Sequence, residues 1–229
     1  MKSVDLLIPC LNEADGAVAL IAALNTTIEA LPQPVSALWH GETDSEPEGI
    51  RFQLLIVDDG SSDGTSQRFE DLLRAPGPLE GGTIISLSRN FGKEAAILAG
   101  LNHCAADACI IMDADLQDPP ELIGPMIAAW QEGHEVVNAV RHDRSSDSLM
   151  KRLSSEGFYS LFLRLSKLQI QFNASDFRLL DRVAIDAIVS CKERVRFSKG
   201  FFAWVGFRQT NILFKRPARI SGTSKWGSW

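Results

Sequence analysis

The sequence predicts an α/β sandwich with a mainly parallel central sheet and a basic C-terminal extension. Three observations carry this. Short apolar runs alternate with amphipathic stretches, the pattern of βαβ units. Acidic and polar residues collect directly after the apolar runs, where ligands of open parallel sheets bind. The charge is also divided along the chain: residues 1–140 hold 6 Lys and Arg against 22 Asp and Glu, whereas residues 141–229 hold 17 against 7. A chain of 229 residues, 45% hydrophobic and 23% charged, suits one large domain with its own core and excludes a disordered or fibrous protein.

The elements follow in order. Val4–Ile8 reads as the first strand, and Ala14–Ala30 as an amphipathic helix. Pro32–Gly49, rich in proline and acids, reads as a surface insertion. Phe52–Val57 is a buried strand and Ser66–Leu73 a helix. Thr83–Leu87 and Lys93–Ala105 form the next strand and helix, then Ala108–Met112 and Pro120–Glu132, then the strand Val136–Val140. From Ser146 to Leu168 a helical pattern mixes Leu and Phe with Lys151, Arg152, Arg164 and Lys167, as on a surface helix that meets lipid headgroups or packs its apolar face on the core. A strand (Asp176–Leu180), a helix (Arg182–Cys191), an aromatic segment (Phe197–Phe207) and a last strand (Gln209–Phe214) complete the chain.

Several function classes drop out. No G-x-G-x-x-G follows the first strand and no G-x-x-x-x-G-K-[ST] occurs, against a dinucleotide-dependent enzyme or a P-loop kinase. The four cysteines (Cys10, Cys104, Cys109, Cys191) contain no C-x-x-C, so reduced cytosolic thiols are expected. No stretch nears the roughly 18–20 apolar residues of a membrane span, and the N-terminus lacks a signal-peptide pattern; the expectation is a soluble or peripheral chain. The basic final third suits phosphates or an anionic membrane surface. With 8% aromatic residues and no recognised motif, it does not suit nucleic acid.

The chemistry lies in the acids at strand ends. Asp63 and Asp118 read as helix N-caps. Asp113 and Asp115 do not. In an extended strand end, residues two apart project to one side, and two carboxylates brought together repel unless a cation accompanies them. Mg²⁺ or Mn²⁺ accepts one or two protein carboxylates and completes its shell with water and phosphate oxygens, which predicts a metal bridging a diphosphate. Asp59 could accept from the imide N–H of uracil, with Glu13 near the base or ribose.

With these residues in hand, the chain resembles family 2 glycosyltransferases of the GT-A fold, and within them the polyprenyl-phosphate hexosyltransferases. The resemblance rests on Ile8–Glu13, Val57–Thr65, Leu87–Glu94, Met112–Glu121, Asp176–Asp181 and Lys199–Gln209. It implies a GT-A-type, Rossmann-like sandwich over 1–229, with 1–140 binding nucleotide-sugar and metal and 141–229 facing acceptor and membrane. It implies that Pro9, Leu11, Glu13, Val57 and Asp59 line the base and ribose. Asp113, Ala114 and Asp115 would hold the diphosphate and its metal, beside Gln117. Arg141 would meet donor or lipid phosphate, and Arg219 and Lys225 would close over the diphosphate. Asp115, Asp176 and Arg141 are the residues expected to carry the transfer.

The implied reaction moves a hexose, glucose first among the candidates, from a UDP-sugar or other nucleotide sugar to a polyprenyl phosphate on the cytoplasmic side of the membrane. A phosphate oxygen is already an anion and needs no strong base; a saccharide hydroxyl does. The only Glu-Asp pair, Glu70-Asp71, lies in an early helix, leaving Asp176 as the base if the acceptor is a hydroxyl. Alternatively Asp176 orients the acceptor, binds the sugar, or is a strand-end residue paired with Arg178. A soluble hydroxyl-using glycosyltransferase and a non-catalytic nucleotide-sugar-binding remnant are the alternative readings. Bacterial members of the branch usually continue into an amphipathic helix and two or more transmembrane helices, and the insertion at Pro32–Gly49 matches none of the motifs that carry the resemblance.

Overall fold

Near-continuous apolar runs belong in strands covered on both faces, because a parallel sheet needs helices on each side. The computed structural model of the chain, which describes residues 2–31, 49–74, 78–79, 81–141, 174–191 and 206–214, has that form. Its strands are β1 (Lys2–Cys10), β2 (Ile50–Asp58), β3 (Gly82–Ser86), β4 (Ala108–Ile111), β5 (Val136–Arg141), β6 (Ala174–Asp181) and β7 (Gln209–Phe214). The helices are α1 (Ala17–Glu29), α2 (Thr65–Leu73), α3 (Lys93–His103), α4 (Ile123–Gln131, entered through a 3₁₀ turn at Pro120–Leu122) and α5 (Arg182–Ser190). The seven strands lie in the order β3-β2-β1-β4-β6-β5-β7. All described pairings are parallel except those of β6, which runs antiparallel to both β4 and β5.

Alternation along the strands splits the core into two layers. Val4, Leu6 and Ile8 of β1 point to one face, with Leu20 and Leu24 of α1, Phe69 of α2 and Met126 and Trp130 of α4. Leu7, Leu55 and Val57 point to the other, with Ile97 and Leu101 of α3 and Ile185 and Ile188 of α5. Helix α1 buries Ala17, Leu20, Ile21, Leu24 and Ile28, the i, i+3, i+4, i+7 stripe of a helix lying on a sheet. α3 comes so close to β1 that a Cβ on Gly100 would stand 2.1 Å from Leu7 Cδ1, so any larger residue there requires the Leu7 side chain to move. Asp181 caps α5, accepting from the Val183 N–H at 2.9 Å, and its other oxygen accepts from Trp130 Nε1 at 2.7 Å, tying α5 to α4.

Two local expectations need correction. Asp118 is not at an N-cap position: Pro119 precedes the turn at Pro120–Leu122 and Leu122 precedes α4, neither with a side-chain cap bond, and Asp118 is buried. The extended strand ends at Ile111, and Ala114-Asp115 form a turn with Leu116 at φ 54°. Asp113 and Asp115 are therefore not presented by strand alternation. The Ser146–Leu168 helix, most of Pro32–Gly49, most of Phe197–Phe207, and Arg219 and Lys225 lie outside the described residues.

Candidate active site

Parallel pairing brings the carboxyl ends of β1, β2, β3, β4, β5 and β7 to one edge, and antiparallel β6 begins at that same edge. The strand order turns back between β1 and β4, the point where open sheets leave a crevice. Chain segments after the strands are laced together here by side chains. The Asn12 N–H donates to Ser61 Oγ at 2.8 Å, and Asn12 Oδ1 accepts from the Ser62 N–H at 2.9 Å. The Glu13 N–H donates to Thr65 Oγ1 at 2.9 Å. Asp58 accepts from the Ser61 N–H and the Ser66 hydroxyl. Pro9 sits opposite Val57 in register, so Pro9, Leu11 and Glu13 on one side and Val57 and Asp59 on the other come from neighbouring strand ends.

Asp59 is fully buried, with its two oxygens accepting the Phe91 and Gly92 N–H groups at 2.8 Å each. It clamps the loop after β3 onto the end of β2. Gly60 follows at φ 75°, and a Cβ there would meet the Arg89 carbonyl carbon at 2.5 Å. The sequence reading aimed Asp59 at the base; its bonds in the structure are to this loop.

Asp63 works as a local cap, one residue earlier than Gly64, which holds the N-cap position of α2. Its Oδ1 accepts from the Thr65 N–H at 3.0 Å and from the Thr65 hydroxyl, and its Oδ2 accepts from the Ala14 N–H at 3.1 Å. Slight burial would raise this carboxyl; the Thr65 and Ala14 hydrogen bonds outweigh that and hold it below the usual aspartate range. A depressed folded-state value gives stability that is present above the ordinary aspartate pKa and fades as pH falls through the lowered one. The melting-temperature gap between the unaltered chain and Asp63→Ala is therefore expected to be constant near neutrality and to narrow below about pH 4. A gap independent of pH would show that the charge of Asp63 contributes nothing.

At the switch point stands a cluster built from three elements. Lys93, the first residue of α3, places its Nζ 2.6 Å from Asp113 Oδ1 and 2.6 Å from Asp176 Oδ2. Burial alone would lower this ammonium; the charges and hydrogen bonds of Asp113 and Asp176 reverse that and hold it above the ordinary lysine range. Arg178, two residues along β6 and 2% exposed, is pulled by burial down to about 10, against the opposing charges of Asp176 and Glu94. Asp115 lies on the other side of the turn, where its Oδ2 accepts from Gln117 Nε2 at 2.8 Å and its Oδ1 from the Gln117 N–H at 3.2 Å. Ala114 and Gln117 are both buried. The Cys10 thiol is pushed well up by burial and then by the charges of Glu13, Asp58, Asp113 and Asp63, a measure of how the acids converge on the end of β1. So protonated a thiol is no nucleophile.

Arg141 ends β5 at the same edge, and its Nε is buried without a hydrogen-bond partner among the described residues. Buried donors normally find an acceptor, so this guanidinium is suited to an incoming anion. The donor set also fits a divalent cation of a particular kind. Asp113 and Asp115 are hard oxygen ligands, and one or two such carboxylates suffice for Mg²⁺ or Mn²⁺ when phosphate oxygens complete the shell. Among the described residues no group of three or more His, Cys, Asp or Glu could form a cage by itself. The fit is to a cation shared with a diphosphate.

Sequence reasoning missed the role of Lys93. A signal was available: a cation at the first position of a helix opposes the helix dipole, so such a lysine implies a nearby carboxylate. The one ion-pair partner it offered Asp176 was Arg178, whereas Asp176 meets Lys93 as well.

Comparison with known proteins gives a consistent result. Residues 5–189 match the family model "Glycosyl transferase family 2". The chain is 39% identical over 224 residues to the uncharacterized glycosyltransferase sll0501 of Synechocystis sp., covering 98% of this chain and 64% of that protein. It is 39% identical over 184 residues to the bactoprenol glucosyl transferase of Shigella phage SfV, covering 80% and 59%. The chain thus spans less than two thirds of the length of these relatives. Its structure is similar to that of mannosyltransferase PcManGT from Pyrobaculum calidifontis in complex with GDP-Man and Mn²⁺, with TM-score 0.58 and 16% identity over 95% of this chain and 58% of that one. It is likewise similar to glucosyl-3-phosphoglycerate synthase from Mycobacterium tuberculosis in complex with Mn²⁺, UDP and glucosyl-3-phosphoglycerate, with TM-score 0.53 and 18% identity over 96% and 73%. At these identities the likeness is one of fold, and it bears out the expected GT-A-type sandwich.

Proposed function

The chain belongs to glycosyl transferase family 2, and from that premise we propose that it transfers a hexose from a nucleotide sugar to a polyprenyl phosphate, with UDP-glucose as the donor. The relatives named bactoprenol glucosyl transferase support acceptor and sugar alike. One observation carries the choice of a phosphate over a hydroxyl acceptor: Asp176 is engaged by the Lys93 ammonium at 2.6 Å, which Asp113 shares. A general base must be ready to take a proton. Asp176 is instead a partner in an ion pair, and a nucleophile that arrives ionised makes no demand on it.

In this reading Pro9, Leu11, Glu13, Val57 and Asp59 form the wall for base and ribose, Asp59 through the loop that it holds. Asp113 and Asp115, with Ala114 and Gln117 beside them, hold Mg²⁺ or Mn²⁺, which when bound neutralises charge on the departing diphosphate. Gln117 keeps the Asp115 carboxylate oriented. Arg141 takes a phosphate oxygen, and Arg219 and Lys225 supply further cations to the diphosphate. Residues 1–140 form the nucleotide-sugar part and 141–229 the acceptor part, whose 17 Lys and Arg against 7 acids suit the anionic cytoplasmic face of a membrane. No helix among the described residues is long and apolar enough to cross one.

The test is transfer of label from radiolabelled UDP-glucose to short polyprenyl phosphate, read as counts in the organic phase, for the unaltered chain and for Asp176→Asn. Label in the lipid and a loss of about tenfold or less in the variant support the proposal. A loss of about 10²–10⁴-fold would mark Asp176 as a base and favour a hydroxyl acceptor. Release of free glucose alone would sink the lipid acceptor.

A further inference from the structure

The shared lysine has a consequence for how a metal enters the site. Because Lys93 Nζ is 2.6 Å from an oxygen of Asp113 and 2.6 Å from an oxygen of Asp176, those oxygens lie no more than about 5.2 Å apart, and one ammonium serves both. The cluster is half-buried: the side chains of Lys93, Asp113 and Asp176 are 19%, 32% and 26% exposed. At that depth charges are screened only in part. Nothing in the helix favours a cation at this position, since the N-terminal end of α3 carries positive partial charge. Its place is set by the two carboxylates. Arg178 adds a second fixed positive charge behind Asp176.

We propose that Lys93 is a positioning residue acting as a resident counter-cation, which makes tight binding of a divalent metal at Asp113 conditional on a diphosphate. The inference rests on the nucleotide-sugar reading above. A metal approaching Asp113 alone meets an ammonium already on that carboxylate, so one of its few ligands is partly neutralised and like charges are brought together. A diphosphate brings several negative charges and outweighs this opposition. Metal and diphosphate then bind with positive coupling, and by linkage each raises the affinity of the other equally. Lys93 keeps its hold on Asp176 when Asp113 turns to the metal, so the acceptor side of the site stays in place. In this way the site would take up a cation with its substrate rather than before it.

The experiment measures Mn²⁺ binding by calorimetry and electron paramagnetic resonance on the full chain, with the metal alone and with the preformed complex of Mn²⁺ and inorganic pyrophosphate. Lys93→Met is expected to tighten binding of Mn²⁺ alone by about tenfold or more, about 1.4 kcal/mol, while binding of the pyrophosphate complex changes far less. Lys93→Arg, which keeps the charge, is expected to restore weak binding of the metal alone. Asp176→Asn removes a negative charge and is expected not to tighten it. Lys93→Gln provides a second neutral variant should Lys93→Met fail to fold. If the neutral variants bind Mn²⁺ alone no better than the unaltered chain, the counter-cation role is overturned and the metal site stands. If the unaltered chain binds neither Mn²⁺ nor its pyrophosphate complex, the metal-diphosphate reading fails and this inference with it.

Discussion

Turnover of the Asp113→Asn/Asp115→Asn double variant is expected to fall by on the order of 10³-fold or more, while the chain stays folded. Each charge-stabilising group aimed at a developing anion contributes roughly 10²–10³ in rate, and this pair would hold the cation that serves the leaving diphosphate. Asparagine keeps the size of aspartate, but it loses the charge and replaces one acceptor oxygen with an amide donor. Gln117 can still keep one of its two bonds to residue 115, and Lys93 still has Asp176. Both positions lie in the segment after β4, partly exposed and outside the two apolar layers. A melting temperature close to that of the unaltered chain is the accompanying expectation. Calorimetry with UDP and Mn²⁺ should show metal-dependent nucleotide binding in the unaltered chain and none in the variant, and chelation of the metal should reproduce the loss. If turnover and metal-dependent binding both stay within tenfold, the assignment of these two carboxylates is wrong.

Gly60→Ala is expected to be among the most damaging single substitutions in the chain, at about 3 kcal/mol or more. Two costs combine at this position. A residue with a Cβ at φ 75° gives up roughly 1–2 kcal/mol to left-handed backbone strain. The added carbon would also stand 2.5 Å from Arg89 C, 2.7 Å from Arg89 Cα and 2.8 Å from Asn90 N. These are backbone atoms of the loop that Asp59 clamps through the Phe91 and Gly92 amides, so relief of the clash means pulling that loop off its anchor. Gly64 provides the comparison. It has nearly the same φ, 83°, and nothing within 4 Å of an added Cβ, so Gly64→Ala should show the strain alone. Denaturant titration of the two variants separates steric cost from backbone cost. Equal losses would mean that the loop yields freely and that the clamp is weak.

The strand-by-strand architecture was legible in the sequence because it depends on local information. Apolar runs of strand length bounded by polar turns leave few alternatives, and observed and expected strands differ by a residue or two at their ends for the five strands from β1 to β5. The charged residues at the strand ends were legible for the same reason: a parallel sheet sends every carboxyl end to one edge, so Glu13, Asp59, Asp113 and Arg141 belong near each other once the strands are recognised. Local signals misled where capping was inferred from residue type. Asp118 resembles an N-cap before Pro119-Pro120, yet it is buried, and Pro119 and Leu122 hold the N-cap positions.

What the sequence determined by itself, then, was the class of sheet, the edge at which its charged residues collect and most of the residue types available there. What only the tertiary structure decided was which charges meet. Strand β6 runs antiparallel between β4 and β5, so its first residues, not its last, arrive at the functional edge, and Asp176 reaches Lys93 across 83 positions of chain. No periodicity records the direction of a strand inserted between two others. That direction is set by how the whole chain buries its apolar faces, and the pairing of Lys93 with Asp113 and Asp176 exists only after that burial is complete.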